Sequence, residues 1–343
     1  GIKTYKKILT AALAAMMLMN GCGREAVKEA EQIPSGGGEI GTQAEASLET
    51  YMSETISDGV VMEAQVHNPI GLTVPVYSVS YEKFTPETAE ALLIKGGTET
   101  REDGETEVVF RNEEEVLTVS NTLSYSQVWD GILYSQFTSL EEEGAQEELP
   151  FSTIEAATAH IENVFDQLGM GEMKLDSFCS INSQKLQEAE DSWKDDPEFQ
   201  AMVEQKGYPY KGEWAPEDGV YVYHYIMMKN GVPIYEKYYE DSNKNEVWGN
   251  YAEAKYTKDG IIFFHAEQKM RTEEKGKAEI LPPDSIAEKL KEKFDLLINT
   301  GPIQITELQL MYLTRYDENG SLELAPIWRV KTEQEKSIDM MLA

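Results

Sequence analysis

Three strand-turn-strand patterns constrain the fold of this chain more than any other feature of its sequence. The turns are Asn230-Gly231, Asp259-Gly260 and Asn319-Gly320, and each separates two runs rich in β-branched and aromatic residues. Asn-Gly tolerates the two positive φ angles of a type I′ turn, whose twist matches the twist of paired strands. The sequence therefore predicts antiparallel β-hairpins at these places.

Two amphipathic helices accompany the hairpins. The clearer helix begins at Ser152, which forms a capping-box pattern with Glu155, and it ends at Gly169. Its apolar residues recur with helical spacing and share one face: Ile154, Ala157, Ile161, Val164, Phe165 and Leu168. The second helix begins at Pro283, and its apolar face consists of Ile286, Leu290, Phe294 and Leu297. We predict an α+β fold in which antiparallel sheets carry single helices packed on one face.

Composition along the chain predicts five segments. Residues 23–50 contain almost no large apolar side chains, so burial cannot offset the entropy cost of ordering them. The segments are a signal peptide at 1–21, a disordered tether at 22–50, an N-terminal α+β unit at 51–139, a central unit at 140–270 and a C-terminal unit at 271–343.

Within these segments, a strand is expected over Leu133–Phe137 and a helical insertion over 184–206, broken near Pro197. Helix followed by hairpin recurs in the central and C-terminal units, which favours two or three units related by internal duplication.

The charge balance excludes one class of partner. The chain has 62 acidic and 30 basic residues and a formal net charge of −32. Nucleic acids and anionic lipid headgroups are bound through Lys and Arg, so a field of this sign repels both. We expect no nucleic-acid partner.

The first 22 residues resemble a bacterial lipoprotein signal. Lys6 and Lys7 precede an apolar stretch from Ile8 to Met19, and Gly21 stands immediately before Cys22. The apolar stretch is shorter than the roughly 20 residues that a membrane span needs. The resemblance implies that the Cys22 thiol is acylated, for example with palmitate, and that the protein is anchored to the outer face of the cytoplasmic membrane. The alternative is an ordinary apolar helix.

Cysteine usage agrees with that anchor. Cys22 and Cys179 are the two cysteines of the chain, and lipidation of the first leaves no disulfide partner for the second. Cys179 lies in an apolar alternation, which is more typical of a buried structural thiol than of a nucleophile. The fold must therefore depend on its hydrophobic core.

Residues 140–335 resemble the PepSY-like and YycI-type extracytoplasmic domains of bacteria, and the whole chain resembles uncharacterised lipoproteins of Gram-positive bacteria that carry a domain of unknown function. The segments that carry the resemblance are the helix from Ser152 to Gly169, the hairpin around Asn230-Gly231 and the strand Leu324–Val330 with its Pro326-x-Trp328. The resemblance implies a non-enzymatic role at the cell surface as an inhibitor, sensor accessory or binding module. Such domains continue into one more strand after the Pro-x-Trp strand, and because the sequence stops at Ala343, the expectation is a C-terminal unit truncated before that strand.

Aromatic residues are concentrated in residues 208–256. Ten of the 18 tyrosines lie there, together with Trp214 and Trp248. One interpretation is structural, because tyrosine is a good strand residue. The other is a surface that binds a glycan or a peptide by ring stacking, with hydrogen bonds to Glu236, Glu240 and Asp241. Its candidate binding residues are Tyr221, Tyr223, Tyr225, Tyr235, Tyr239 and Trp248.

Catalytic and metal-binding signatures are weak. None of the four histidines has the i, i+4 partner of a zinc helix, and there is no G-x-S-x-G motif or phosphate-binding glycine loop. Asp241-Ser-Asn243-Lys-Asn245 matches the start of a calcium loop, but Glu246 occupies the glycine position, so a polar turn is favoured.

We therefore predict no catalytic residue, metal or cofactor. The first functional hypothesis is a lipid-anchored module that binds or regulates an unknown surface protein. The alternative is a glycan- or peptide-binding uptake lipoprotein that uses residues 208–256. A hydrolase with paired carboxylates stays open as a third.

Overall fold

The computed structural model describes residues 48–141, 145–207, 209–295, 302–333 and 340–342. The predicted signal peptide, Cys22 and most of the tether lie outside these ranges, as do Tyr208 and Leu297. The strands are β1 (Leu48–Ser57), β2 (Val60–Asn68), β3 (Thr73–Tyr81), β4 (Thr100–Asp103), β5 (Val108–Arg111), β6 (Glu115–Val119), β7 (Leu123–Gln127), β8 (Met173–Ile181), β9 (Val220–Lys229), β10 (Val232–Pro233), β11 (Tyr239–Glu240), β12 (Glu246–Val247), β13 (Tyr251–Thr257), β14 (Gly260–Ala266), β15 (Met270–Glu279), β16 (Ile303–Tyr316), β17 (Leu322–Thr332) and β18 (Met340–Leu342). The helices are α1 (Pro86–Leu93), α2 (Val128–Ser135), α3 (Thr138–Glu141), α4 (Ile154–Leu168), α5 (Ser183–Lys194), α6 (Pro197–Lys206) and α7 (Pro283–Asp295).

The predicted α+β class is confirmed, with mostly antiparallel sheets. The chain forms two compact units. The first unit consists of Tyr81–Ile226 and Asn250–Lys269, and the second unit holds the described residues of Ala26–Ser80, Met227–Gly249 and Met270–Ala343. Both units are discontinuous in sequence, whereas the sequence analysis expected three contiguous ones. The reason is strand pairing between remote segments, such as β2 with β16.

The sheet of the first unit has the strand order β9-β13-β14-β7-β6-β5-β4, and β8 also pairs with β9. Helix α4 packs on one face of this sheet, where the Phe165 ring lies 4.7 Å from that of Tyr225 and 5.4 Å from that of Phe264. Val220 and Val222 alternate with the tyrosines of β9 and pack into a second core on the other face. That core also contains Leu133, Phe137, Cys179, Ile181, Leu186, Trp214 and Ile262.

Helix α4 begins one residue later than predicted. The N-cap is Thr153, whose hydroxyl accepts a hydrogen bond from the Ala156 N–H at 3.1 Å, so the expected Ser152 cap is wrong. Gly169 ends the helix in the left-handed region, at φ 69°, as predicted. The predicted strand over Leu133–Phe137 is also wrong, because these residues belong to α2 and the turn after it. The helix pair expected over 184–206 is observed as α5 and α6.

The sheet of the second unit has the order β1-β2-β16-β17-β3-β15. Strands β2 and β16 are parallel, an exception to the antiparallel prediction, while the β16–β17 hairpin is antiparallel as expected. Helix α7 contacts β1 and buries Ile286 and Leu290. The additional strand after Trp328, which the expected truncation would have removed, is present as β18 and pairs with Trp328–Val330. Across the described ranges, every helix is too short or too polar to cross a bilayer.

Candidate functional site

Three of the predicted binding tyrosines lie under helix α4 in the first unit. Tyr221, Tyr223 and Tyr225 share one face of β9, and each is 0% exposed. Their hydroxyls bond to the protein itself: Tyr221 donates to the Ser152 carbonyl at 2.6 Å, and Tyr225 donates to Glu162 Oε1 at 3.2 Å. These rings therefore have a packing role, and no ring surface is open for stacking.

Tyr235 and Tyr239 belong to the second unit. Both are buried in a cluster with Val247, Met311, Leu313 and Ile327. The Tyr239 hydroxyl donates a hydrogen bond of 2.5 Å to the Thr314 carbonyl. All five tyrosines are therefore buried within their own units, and none presents its ring to solvent.

Trp248 is the one predicted binding residue that solvent reaches. Its side chain is 44% exposed, and its ring packs against Tyr238 with centroids 4.6 Å apart and an interplanar angle of 49°. Tyr238 is not among the residues predicted from the sequence, although it lies two residues before Glu240 in a strand-like run. We call residues 238–248 the aromatic ribbon.

The ribbon is a two-stranded antiparallel element. Tyr239 lies opposite Val247, and Glu240 lies opposite Glu246. The turn between the strands is held by Asp241, whose Oδ1 accepts the backbone N–H groups of Asn243 and Asn245 at 2.9 and 2.8 Å. These hydrogen bonds close the polar turn between the two strands. In the ranges that the structure describes, no three His, Cys, Asp or Glu side chains form a metal-binding group.

Strand alternation divides the ribbon into two faces. Tyr239 and Val247 are buried in the core of the second unit, 4% and 3% exposed. Since side chains alternate along a strand, Tyr238, Glu240, Glu246 and Trp248 lie on the opposite, outward face. Tyr238 is half-buried, and the other three residues are exposed. The outward face thus presents two aromatic rings beside two carboxylates.

The base of the ribbon is closely packed. A Cβ atom added to Gly249 would lie 1.5 Å from the Glu236 carbonyl oxygen, so the two backbone segments are in direct contact. The Tyr238 hydroxyl donates to Glu246 Oε1 at 3.0 Å and joins the two strands. The ring pair is therefore held in place before any ligand arrives.

Charge on the outward face is predominantly negative. Lys244 Nζ lies 3.4 Å from Glu240 Oε1, but the lysine side chain is 83% exposed, so this ion pair is weak. Glu240 and Glu246 face each other across the strands, and like charges in that position destabilise a strand pair.

A second polar group, which sequence analysis missed, lies on the sheet of the first unit. The Ser124 hydroxyl is 2.7 Å from His265 Nδ1, and His265 Nε2 is 2.6 Å from Glu267 Oε1. Strand register brings them together, because β7 and β14 place His265 directly opposite Ser124. The i, i+2 spacing of His265 and Glu267 could have indicated this pair from the sequence. Ser124 could not be found in that way, because it is 141 residues away from His265.

His224 lies on β9 of the same sheet, separated from the strand of His265 by β13. Its Nδ1 is 3.2 Å from Asp176 Oδ2, and the Tyr251 ring lies 5.6 Å from His224 and 5.8 Å from His265. Both histidines are partly buried and engaged with carboxylates.

Glu115 is a buried carboxylate that is held by several hydrogen bonds, and its role is structural. It is 4% exposed and accepts the backbone N–H groups of Lys95 and Gly96 at 2.9 and 2.8 Å. The Tyr125 hydroxyl donates to it at 2.6 Å, and the Asn112 amide at 2.8 Å. Burial acts to raise the pKa of Glu115, but these hydrogen bonds outweigh burial, and its pKa lies below the ordinary value.

Cys179 is buried in the core of the first unit. Burial raises the pKa of its thiol to about 11, so the thiol is protonated at neutral pH and is a poor nucleophile.

Fold and site together define an α+β protein with two sheets and an exposed aromatic ribbon. No protein-family model matches the sequence, and no curated protein matches it. In structure the chain is similar to an uncharacterized protein from Eubacterium rectale ATCC 33656, with a TM-score of 0.57 and 15% identity over 85% of this chain and 89% of that one. That likeness shows a shared fold.

A weaker likeness is to the C-terminal domain of YpeB from Bacillus megaterium. The TM-score is 0.30 and the identity 10%, over 74% of this chain and 90% of that one. A likeness at this level carries no conclusion about what the present chain does.

Proposed function

We propose that this protein is a lipid-anchored, non-enzymatic binding module on the outer face of a bacterial cytoplasmic membrane, and that the outward face of the aromatic ribbon contacts its ligand. The observation that carries the binding role is the solvent-exposed Trp248 ring, which packs against the half-buried Tyr238 ring. Exposed aromatic rings on a rigid base are typical of interaction sites, since they offer large contact area at little entropy cost.

The anchor is supported by the sequence from Lys6 to Cys22, which resembles a lipoprotein signal. Acidic composition supports a role that does not involve nucleic acid. The outward face of the ribbon offers rings and carboxylates, which bind a ligand by stacking and by charge-assisted hydrogen bonds.

The test compares Trp248→Ala with Trp129→Ala in the full chain. Trp129 is a matched control because it is 47% exposed and lies on α2 of the first unit. Binding of fluorescently labelled protein to isolated Gram-positive cell envelopes is measured at increasing protein concentration. We expect Trp248→Ala to weaken binding about tenfold, which corresponds to about 1.4 kcal/mol, and Trp129→Ala to leave it unchanged. Equal binding by both variants and the parent chain would overturn the proposed surface.

A serine hydrolase is the second candidate function, and the contacts of His265 favour it. An imidazole between a hydroxyl and a carboxylate can take the proton of the serine as the oxygen attacks a carbonyl carbon. This candidate ranks second because Ser124 lies inside β7, which pairs with strands on both sides, rather than on a sharp strand-to-helix turn.

Covalent labelling with a fluorophosphonate probe tests the hydrolase candidate. Ser124→Ala is compared with Ser126→Ala, a serine on the same strand and the same face. A hydrolase would be labelled in the parent chain and in Ser126→Ala but not in Ser124→Ala. An unlabelled parent chain would remove this candidate.

A further inference from the structure

The ligand class can be inferred from the chemistry of the aromatic ribbon, an inference that rests on the function proposed above. We infer that the outward face of the ribbon binds a peptide segment carrying Lys or Arg side chains, with a cationic group over the Tyr238–Trp248 rings and beside Glu240 and Glu246.

The two aromatic rings favour a cationic ligand. Trp is the aromatic side chain that attracts cations most strongly through its ring face, and Tyr does so as well. Trp248 is exposed, and Tyr238 supports its ring at 4.6 Å. A cation that approaches from solvent therefore meets a ring whose position is already set.

The two carboxylates beside the rings also favour a cationic ligand. Glu240 and Glu246 lie opposite each other on the same outward face as the rings. Two carboxylates with one solvent-exposed lysine leave this face with a net negative charge. A bound ammonium or guanidinium would relieve the repulsion between the two glutamates, and it would gain charge-assisted hydrogen bonds.

The charge of the whole chain favours a cationic ligand as well. At a formal net charge of −32, the protein attracts cationic partners and repels anionic ones over distances up to the screening length of the solution. A neutral glycan could stack on the rings but would gain nothing from the charge of the two glutamates or from the net charge of the chain. The charges and the rings together therefore favour a cationic peptide over a sugar.

Fluorescence anisotropy with the full chain and defined probes tests this inference. The probes are a fluorescein-labelled peptide rich in Lys and Arg, the same peptide with acetyl-lysine and citrulline in place of the charged residues, and a neutral chitooligosaccharide. The variants are Trp248→Ala and Glu246→Gln. Glu102→Gln is the control, since it removes the same charge from the exposed strand β4 of the first unit.

We expect the cationic peptide to bind and its neutral analogue to bind at least about tenfold more weakly. Glu246→Gln should weaken binding about two- to fivefold and Trp248→Ala about tenfold, while Glu102→Gln changes it less than about twofold. Raising the salt concentration should weaken binding of the cationic peptide.

The outcomes separate this inference from the proposed function. Two results would overturn the cationic ligand and leave the ribbon as the binding surface. The first is equal binding of the cationic peptide and its neutral analogue. The second is binding of the chitooligosaccharide alone, abolished by Trp248→Ala. Failure of all probes, with envelope binding unaffected by Trp248→Ala, would overturn both. Equal loss in Glu246→Gln and Glu102→Gln would show attraction by net charge alone and would overturn the specific role of the ribbon carboxylates.

Discussion

Gly249 lies against Glu236 so closely that a Cβ atom on the glycine would come within 1.5 Å of the Glu236 carbonyl oxygen. This contact sets the position of the chain on both sides of the aromatic ribbon. We predict that Gly249→Ala destabilises the protein by about 1–3 kcal/mol, because one of the two backbone segments must move. Urea denaturation measures the change.

Gly276→Ala is the matched control for that substitution. Gly276 lies in β15 of the second unit, and a Cβ atom built there meets nothing within 4 Å. Its effect should be less than about 0.5 kcal/mol. Equal effects of the two alanines would contradict the close packing at Gly249.

The second prediction concerns stability in acid. The pKa of Glu115 is lower in the folded chain than its ordinary value of 4.5, so the unfolded chain takes up the proton first as pH falls. The stability that Glu115 contributes is therefore present above that ordinary value and is lost as pH falls through the folded pKa. Glu115→Gln should cost about 2 kcal/mol at pH 7, and the difference from the parent chain should shrink in acid.

The exposed neighbour Glu114 provides the control for Glu115. Glu114→Gln should change the denaturation midpoint little at either pH. A gap between the parent chain and Glu115→Gln that stays constant from pH 7 to pH 3 would contradict the assigned titration.

A third prediction separates packing from binding. Tyr223 is 0% exposed, so Tyr223→Ala should lower the free energy of unfolding by about 3–5 kcal/mol through the cavity it leaves. Trp248→Ala should cost less than Tyr223→Ala, because Trp248 is 44% exposed and its ring has less buried area to lose. Thermal denaturation of both variants measures this contrast. A larger loss of stability in Trp248→Ala than in Tyr223→Ala would contradict the packing role of Tyr223.

The fourth prediction tests the lipid anchor in cells. Cys22→Ala should abolish labelling with a palmitate analogue and release the protein from the membrane fraction, because one thiol carries the acyl chain. Cys179→Ala should retain both the label and the membrane location, since Cys179 is buried. Label that persists in Cys22→Ala would refute the lipoprotein interpretation.

The sequence correctly predicted those helices and turns that are determined by residues close to one another in the chain. Helix α4 and the Asn230-Gly231 turn were found because side-chain periodicity and turn conformation act within a few residues. Predictions failed where packing overrides local preference. Leu133–Phe137 belong to α2 and the turn after it rather than to the predicted strand, and β15 has a polar sequence whose pattern did not indicate a strand.

Residues 238–248 show most clearly what the sequence determined by itself and what only the tertiary structure decided. Alternation along the sequence places Tyr238, Glu240, Glu246 and Trp248 on one face and Tyr239 and Val247 on the other, because successive strand residues point in opposite directions. Which of the two faces meets solvent is not encoded in that alternation, since each carries aromatic or apolar residues. The tertiary structure decided it when Tyr239 and Val247 packed against Met311 and Ile327, residues that only the fold brings near.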